Sequence, residues 1–451
     1  MNVLQIAYYF PPMGGAGVQR ALKFSKYLPE FGITPVVLAA HDPDYVSDAS
    51  LAAEVPSDLA VHRVPYRPLL QRLVQWRRRS RKEARAAGAP DASPVEAPWR
   101  DRTRDVLLRT YASLQFPDDK AGWARRATGE ARRILREGQI DLIFSSSPPV
   151  SAHALGAKLS RETGIPWVAD YRDLWAEISS HDTPAWRAAV DRRTESRWLR
   201  QAAGVVTVTP SWQRMLVQRL GASCPVAFIP NGYDEADFAA LPITSRRDAA
   251  DFVLVHAGTF YGPREPSKLL DGLALYLQRA VRPSRRLRVR LVGNMGSRFD
   301  ARLQHFEALY RGVVERVPYL PHRDALAEVV SADALLLVVG GWTGAGGAGL
   351  LPGKIFEYLR AGKPILMLGD QCGDAAELVR RYAGGWAVDE AQPEEIARAL
   401  AAMVEDDPGP SSGRGEHRSD DIREGVTRFE RRELARQLAD FLRQCKERSH
   451  G

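Results

Sequence analysis

Cysteine is scarce. The 451 residues contain three, Cys224, Cys372 and Cys445, far apart and without any CxxC or Cys/His spacing. That sets aside a disulfide framework and a zinc site and fits a reducing compartment. Long apolar runs are missing as well. The longest, such as ALLLVV at 334–339, falls well short of the roughly 18 residues that a membrane span needs. The first residues, MNVLQIAYYFPP, have no basic leader and their apolar run stops at Pro11, so they read as a first strand and not as a signal peptide. A GxGxxG fingerprint is absent, and no acidic residue closes the second strand, PVVLAA. Both gaps argue against a nicotinamide-type dinucleotide fold. The expectation is a cytoplasmic chain that does not span a membrane.

What is present is globular in character. Hydrophobic residues make up 45% and charged residues of both signs 26%. The length suits two domains of about 200 residues each better than one core. The net charge of +8 is concentrated. Residues 61–110 hold 13 Lys/Arg against 5 Asp/Glu, a difference of +8, so the rest of the chain sums to about zero. Most of the excess lies in RLVQWRRRSRKEAR.

Strand and helix patterns alternate along the chain, which points to parallel α/β sheets. VLQIAYYF, a Gly-rich turn, the helical stripe of AGVQRALKFSKYLPEFG and the strand ITPVVLAA open the sequence. LIFSSS, WVADY and GVVTVT continue it. Near AFIPNGYDEADF the pattern pauses and restarts with DFVLVHAG, LRVRLVG, ALLLVV, PILML and GGWAV. The expected architecture is α/β with two Rossmann-like units: an N-terminal domain over 1–230, carrying the basic excursion at about 61–110, and a C-terminal domain over 231–410. Residues 411–451 would form a linker and a final helix, expected from about Ile422 to Glu447.

Two strand-to-helix turns carry chemistry. In open parallel sheets, ligands bind beyond the carboxyl ends of the strands, where loops present unpaired N–H groups and the positive end of a helix dipole. In PPMGGAGVQR, two prolines end the strand, and Gly14, Gly15 and Gly17 let the backbone turn sharply and approach a ligand. The same glycines would also serve plain strand–helix packing. In GGWTGAGGAGLLPGKIFEYLRAGKPIL, a buried strand empties into a Gly/Ala run, and Pro352 is expected at the first helical position. Lys354 and Glu357 then share one helix face. A cation at a helix N-terminus opposes the dipole, but it makes sense if a diphosphate is shared between them, and Glu357 can accept from two adjacent ribose hydroxyls. The alternative is a surface Lys–Glu pair at i, i+3. In DYRDLW, Asp170, Arg172 and Asp173 follow a buried strand. Arg172 could form a structural ion pair with one carboxylate, or one carboxylate could meet an acceptor hydroxyl.

YYFPPMGGAGVQR, SSSPPVSAHALGAKL, WVADYRDLW, VTVT, FIPNGYD, HAGTFY and PGKIFEYLRAGKPIL occur in the order seen in family-4 glycosyltransferases, so the chain resembles that family, and within it the bacterial branch that builds extracellular and cell-surface polysaccharides. The resemblance implies a GT-B fold, two Rossmann-like domains with parallel sheets facing a cleft, with the last helix returning to the first domain. It implies transfer of a sugar from a nucleotide-sugar donor with retention and without a divalent metal or other cofactor. No DxD sits on a strand end; PDD at 117–119 and HDPD at 41–44 are not placed as one. Carried over position by position, Gly14, Gly15 and Gly17 would face donor phosphate and acceptor. Glu357 matches the second glutamate of the E-x7-E motif, whereas the first position is Gly349. Lys354 would then be a compensating diphosphate ligand. Thr259 stands where an arginine is often found, leaving Arg264 and Lys268 as the available cations, with Arg264 preferred. Gly258, Leu320, Pro321, Leu350 and Leu351 fall on the donor side, and the loop at Leu320–His322 resembles the one that meets the base. His153 is a looser match to a catalytic-domain histidine. Asp170, Arg172 and Asp173 fall on the acceptor side.

The acceptor implied is a glycan or a lipid-linked sugar. LLQRLVQWRRRSRKEAR could lie on an anionic leaflet, which would make the protein peripheral on the inner face of the plasma membrane; a solvated charged helix is the alternative, and nucleic-acid binding ranks below both because no recognition fold accompanies the charge. The competing activities are a nucleotide-sugar epimerase or phosphorylase of the same shape, and a binding protein that has lost activity.

Overall fold

The computed structural model describes residues 1–67, 115–179, 184–221, 224–239, 241, 250–260, 267–279, 285–295, 297–340, 346–405 and 424–449. The chain divides into two compact units. One comprises Met1–Val208, Gln213–Ile229 and Ala435–Gly451; the other comprises Thr209–Trp212 and Pro230–Leu434.

The first unit holds a seven-stranded parallel sheet in the order β3-β2-β1-β4-β5-β6-β7. Its strands are β1 (Asn2–Ala7), β2 (Thr34–His41), β3 (Ala60–Pro65), β4 (Leu142–Ser147), β5 (Trp167–Tyr171), β6 (Gly204–Thr207) and β7 (Val226–Phe228). The central strands β4, β5 and β6 are buried at every residue. That follows from helices covering both faces of a parallel sheet, and it explains why they read as near-continuous apolar runs and not as alternating ones. The principal helices are α1 (Ala16–Tyr27), α2 (Ala121–Glu137), α3 (Ser151–Thr163) and α4 (Ala185–Leu199). In α2, Trp123, Ala127, Ala131 and Ile134 recur at helical spacing and form its buried stripe.

The second unit repeats the plan with six parallel strands in the order β10-β9-β8-β11-β12-β13. These are β8 (Asp251–Ala257), β9 (Arg286–Val292), β10 (Val314–Val317), β11 (Ala334–Val338), β12 (Ile365–Leu368) and β13 (Trp386–Val388). Its helices are α5 (Ser267–Arg279), α6 (Ser297–Leu309), α7 (His322–Ser331), α8 (Lys354–Ala361) and α9 (Pro393–Val404). The core gathers Leu254, Leu269, Leu273, Val289, Leu291, Leu336, Leu366, Ile396 and Leu400.

Two boundaries differ from the sequence reading. The last helix, α10, spans Arg431–Arg448, and the helical turn at 424–427 is separate from it. Pro352 does not occupy the first helical position of α8. Gly353 is the N-cap and Lys354 opens the helix, although the Ile355 N–H already donates to the Pro352 carbonyl.

In both sheets the strand order reverses beside the first strand of the unit, between β1 and β4 and between β8 and β11. Loops leaving the carboxyl ends of neighbouring strands part at such a switch point, and ligands enter there.

Candidate functional site

In the first unit the turn after β1 runs straight into α1. Gly15 is the N-cap of α1 with φ 90°, ψ 167°, a left-handed-side conformation that a side chain disfavours. Gly14 donates its N–H to the Val46 carbonyl at 2.7 Å, so the turn is pinned to the 42–48 loop. Arg172, on the turn after β5, donates to the Gly17 carbonyl at 2.5 Å. Behind this turn, Arg20 of α1 reaches Asp170 at the end of β5 with two parallel contacts, Nη2 to Oδ1 at 2.7 Å and Nε to Oδ2 at 2.9 Å. Ser146 Oγ donates to the same Oδ2 at 2.7 Å. Arg20 and Asp170 are both buried. Asp170 is therefore a structural ion-pair partner, as one sequence alternative held, but with Arg20 and not Arg172.

His153 lies in the first turn of α3 and is fully buried. Its Nδ1 is 2.8 Å from Ser145 Oγ, which also accepts from Trp167 Nε1 at 2.7 Å. Its ring packs on Tyr171 with centroids 4.3 Å apart. Nε2 has no hydrogen-bond partner among the described residues. Burial pushes the imidazole pKa down to about 3, against a smaller opposing pull from Asp170, so the ring is neutral.

In the second unit a buried histidine, His256, stands one residue before the end of β8, and Gly258 follows the strand. His256 Nδ1 lies 2.9 Å from the Leu336 carbonyl and must donate to it, which leaves Nε2 as the acceptor. Lys354 Nζ sits 3.2 Å from that Nε2. Burial, and then the Lys354 ammonium, hold the His256 pKa well below its usual value. Gly258 has φ 136°, and a Cβ there would fall 2.3 Å from Lys354 Nζ. The missing side chain is what lets the cation lie across the strand end. Tyr358 of α8 is buried and its hydroxyl accepts from the Ala257 N–H at 2.9 Å, which fixes α8 against β8. One turn along α8, the Glu357 carboxylate lies 3.7 Å from His322 Nε2, and Asp237 approaches the same nitrogen at 3.5 Å. Leu320 and Pro321 immediately precede α7, whose first residue is His322.

Gly349 closes a short 3-10 turn, Gly347–Gly349, and a Cβ there would meet Trp212, of the Thr209–Trp212 segment grouped with this unit, at 2.3 Å. A glutamate does not fit at that position. Leu350 and Leu351 are buried, Thr259 is exposed at the end of β8, and Lys268 is exposed on α5. Arg264 and the segment 68–114, with the bulk of the basic excursion, lie outside the described residues. Sequence reasoning missed Arg20, Ser146 and His256. Their signals were faint: an arginine on the apolar side of α1, and a lone histidine inside FVLVHAG.

Two doubly wound parallel sheets in one chain are the architecture of the GT-B fold. Solved structures agree on the fold. Sucrose-phosphate synthase from Thermosynechococcus elongatus is 13% identical with a TM-score of 0.62, covering 98% of each chain. Anabaena HepE in complex with UDP-glucose is 15% identical with a TM-score of 0.59, covering 98% of this chain and 100% of that one. An E. coli trehalose-6-phosphate structure bound with UDP-2-fluoro glucose is 10% identical with a TM-score of 0.62, covering 98% of this chain and 99% of that one. No curated protein sequence matches the chain. Residues 93–237 match the model of Glycosyltransferase Family 4, and residues 251–406 match that of Glycosyl transferases group 1, together about two thirds of the chain. The protein belongs to the family-4 glycosyltransferases and is a glycosyltransferase.

Proposed function

We propose that the protein transfers a glycosyl group from a nucleoside-diphosphate sugar, with retention of configuration, to a glycan or lipid-linked acceptor in cell-surface polysaccharide assembly. The observation that carries the donor assignment is Lys354 at the first position of α8, lying over the bare Gly258 at the switch point of the second sheet. Two neighbours of the same fold were solved with UDP-glucose or its 2-fluoro analogue, which supports a nucleotide-sugar donor. Cleavage of the sugar–phosphate bond builds charge on the leaving diphosphate, and aimed donors and cations lower that barrier most. Lys354 and the first-turn amides of α8 would take that charge, with no divalent metal assigned a part. Glu357 would accept from the ribose hydroxyls, and Leu320–His322 would flank the base.

Retention is proposed as front-face attack, with the donor phosphate taking the acceptor proton. The commitment of Asp170 to Arg20 and Ser146 supports this, since it removes one carboxylate from the candidates for a covalent nucleophile. Gly14, Gly15 and Gly17, with Arg172 and Asp173, would meet the acceptor, and the neutral His153 could offer only its Nε2. Because Gly349 has no room for a side chain, contacts to the sugar ring must come from backbone amides of Leu350 and Leu351 or from elsewhere. The protein would act in the cytoplasm, where activated sugars reside.

Calorimetric titration with a panel of activated sugars, with and without EDTA, tests the reading. One donor should bind in EDTA, and Glu357→Ala and Lys354→Met should each lower its affinity by about 10- to 100-fold, the value of one charge-assisted hydrogen bond. Unchanged affinity in both variants would remove this pair from the site.

A further inference from the structure

Helix α4, in the first unit, carries a second surface feature built from none of the residues named for sugar transfer. Its two carboxylates point inward. Asp191 and Glu195 are buried and bind Arg187 and Arg219 at 2.6 and 2.7 Å. Trp198 stacks on Trp175 at 5.7 Å on the same packed side. The outward side is different. Trp186 is 58% exposed and Val190 40% exposed, although both are large and apolar. Arg193, Arg197 and Arg200 are exposed further along.

These five residues, at positions 186, 190, 193, 197 and 200, are spaced by alternating steps of four and three, so they fall on one stripe of the helix about 21 Å long. The stripe has an apolar start and a cationic remainder, and α4 adds no exposed carboxylate to offset it. A helix buried against its sheet needs no exposed tryptophan. Indole, with one apolar body and one N–H, is suited to the boundary between headgroups and acyl chains. Guanidinium forks suit lipid phosphates and are over-represented wherever phosphate is read in the plane.

We propose that the outer face of α4 docks the protein on an anionic bilayer surface, Trp186 and Val190 entering the headgroup boundary and Arg193, Arg197 and Arg200 lying on lipid phosphates. The surface is independent of the sugar-transfer reading, since it requires neither donor nor acceptor. Its residues are other than those of the basic excursion at 61–110.

Co-sedimentation of the full-length chain with phosphatidylglycerol/phosphatidylcholine vesicles, and with phosphatidylcholine alone, tests it without any sugar substrate. The wild type should bind the anionic vesicles and release as salt rises. R193Q/R197Q/R200Q should bind roughly a hundredfold more weakly, since each surface cation contributes about fivefold at low salt. Trp186→Ser should lose less and keep the salt dependence. Thermal unfolding of each variant checks the fold. If the triple variant is unstable, the single variants Arg193→Gln, Arg197→Gln and Arg200→Gln should each still lose about fivefold. Equal binding of wild type and arginine variants, equal binding to neutral and anionic vesicles, or binding to an oligonucleotide in place of vesicles would each overturn the proposal.

Discussion

Each unit sets a cation near the place where its strand order reverses, buried in the first and half-buried in the second, and the two are partnered differently. In the first, Arg20 comes off the helix that follows β1 and is matched by a full carboxylate, Asp170, with Ser146 completing the set. In the second, Lys354 opens the helix that follows β11 and meets an imidazole that burial keeps neutral. A carboxylate cancels the charge as well as accepting the proton. An imidazole accepts one N–H and carries no charge of its own. The first arrangement is a structural clamp under the glycine turn; the second sets an ammonium beside a bare strand end, where the proposed donor diphosphate would meet it. The same doubly wound plan thus gives one buried ion pair and one cation beside a neutral ring, and the difference lies in the partner and not in the fold.

The largest expected effect breaks the clamp. Asp170→Ala leaves the Arg20 guanidinium buried without its carboxylate, and removing one partner of such a pair costs about 3–5 kcal/mol. Urea unfolding should show that loss. Arg20→Met combined with Asp170→Ala should recover most of it, because the orphaned charge is gone. In the second unit the corresponding change, Lys354→Met, removes a cation beside a neutral ring and should leave stability within about 1 kcal/mol of the wild type. Equal destabilisation by Asp170→Ala and Lys354→Met would erase the contrast.

A smaller effect separates the units by pH. His153 has a folded-state pKa of about 3 against an ordinary 6.5. The unfolded chain takes the proton first, so the stabilisation is complete above pH 6.5 and is lost as pH falls from 6.5 toward 3. The loss should approach about 1.4 kcal/mol per pH unit, or about 2 kcal/mol between pH 6.5 and pH 5. His153→Gln should flatten that part of the stability curve if His153 dominates it. His256 is lowered as well, so His256→Gln should flatten the curve in the same window, and the two variants together apportion the acid sensitivity between the two sheets. A curve unchanged in both variants would show that neither ring is held neutral by the fold.

Local pattern carried much of this into the sequence. The strand–turn–helix at 2–27 and the Gly-rich entry to α8 are contiguous, so their chemistry is visible in a window of some twenty to thirty residues. Lys354 and Glu357 were legible because three residues separate them on one helix. The partners were not legible, because they are set by strand pairing. Arg20 and Asp170 are 150 residues apart and meet because β1, β4 and β5 are neighbours in the sheet. Lys354 and His256 are 98 residues apart and meet because β11 lies beside β8. Arg172, two residues after Asp170 in sequence, was the natural local guess for its partner. It is instead drawn to the Gly17 carbonyl, since the backbone turn after β5 carries it past its neighbour.

The finest test compares the two switch-point glycines. Gly15 and Gly258 both have positive φ, 90° and 136°. A Cβ on Gly15 would meet nothing within 4 Å, whereas one on Gly258 would lie 2.3 Å from Lys354 Nζ. Gly15→Ala therefore reports backbone strain alone, of order 1–2 kcal/mol. Gly258→Ala adds displacement of the ammonium from the strand end. Both variants should lose similar stability, because a lysine end moves cheaply. Donor affinity, read by titration with whichever activated sugar the wild type binds, should fall about tenfold only in Gly258→Ala, the value of one weakened charge-assisted contact. If the two alanines lower donor affinity equally, the cation over β8 is not what distinguishes the second sheet, and the seat must be sought in another loop of that unit.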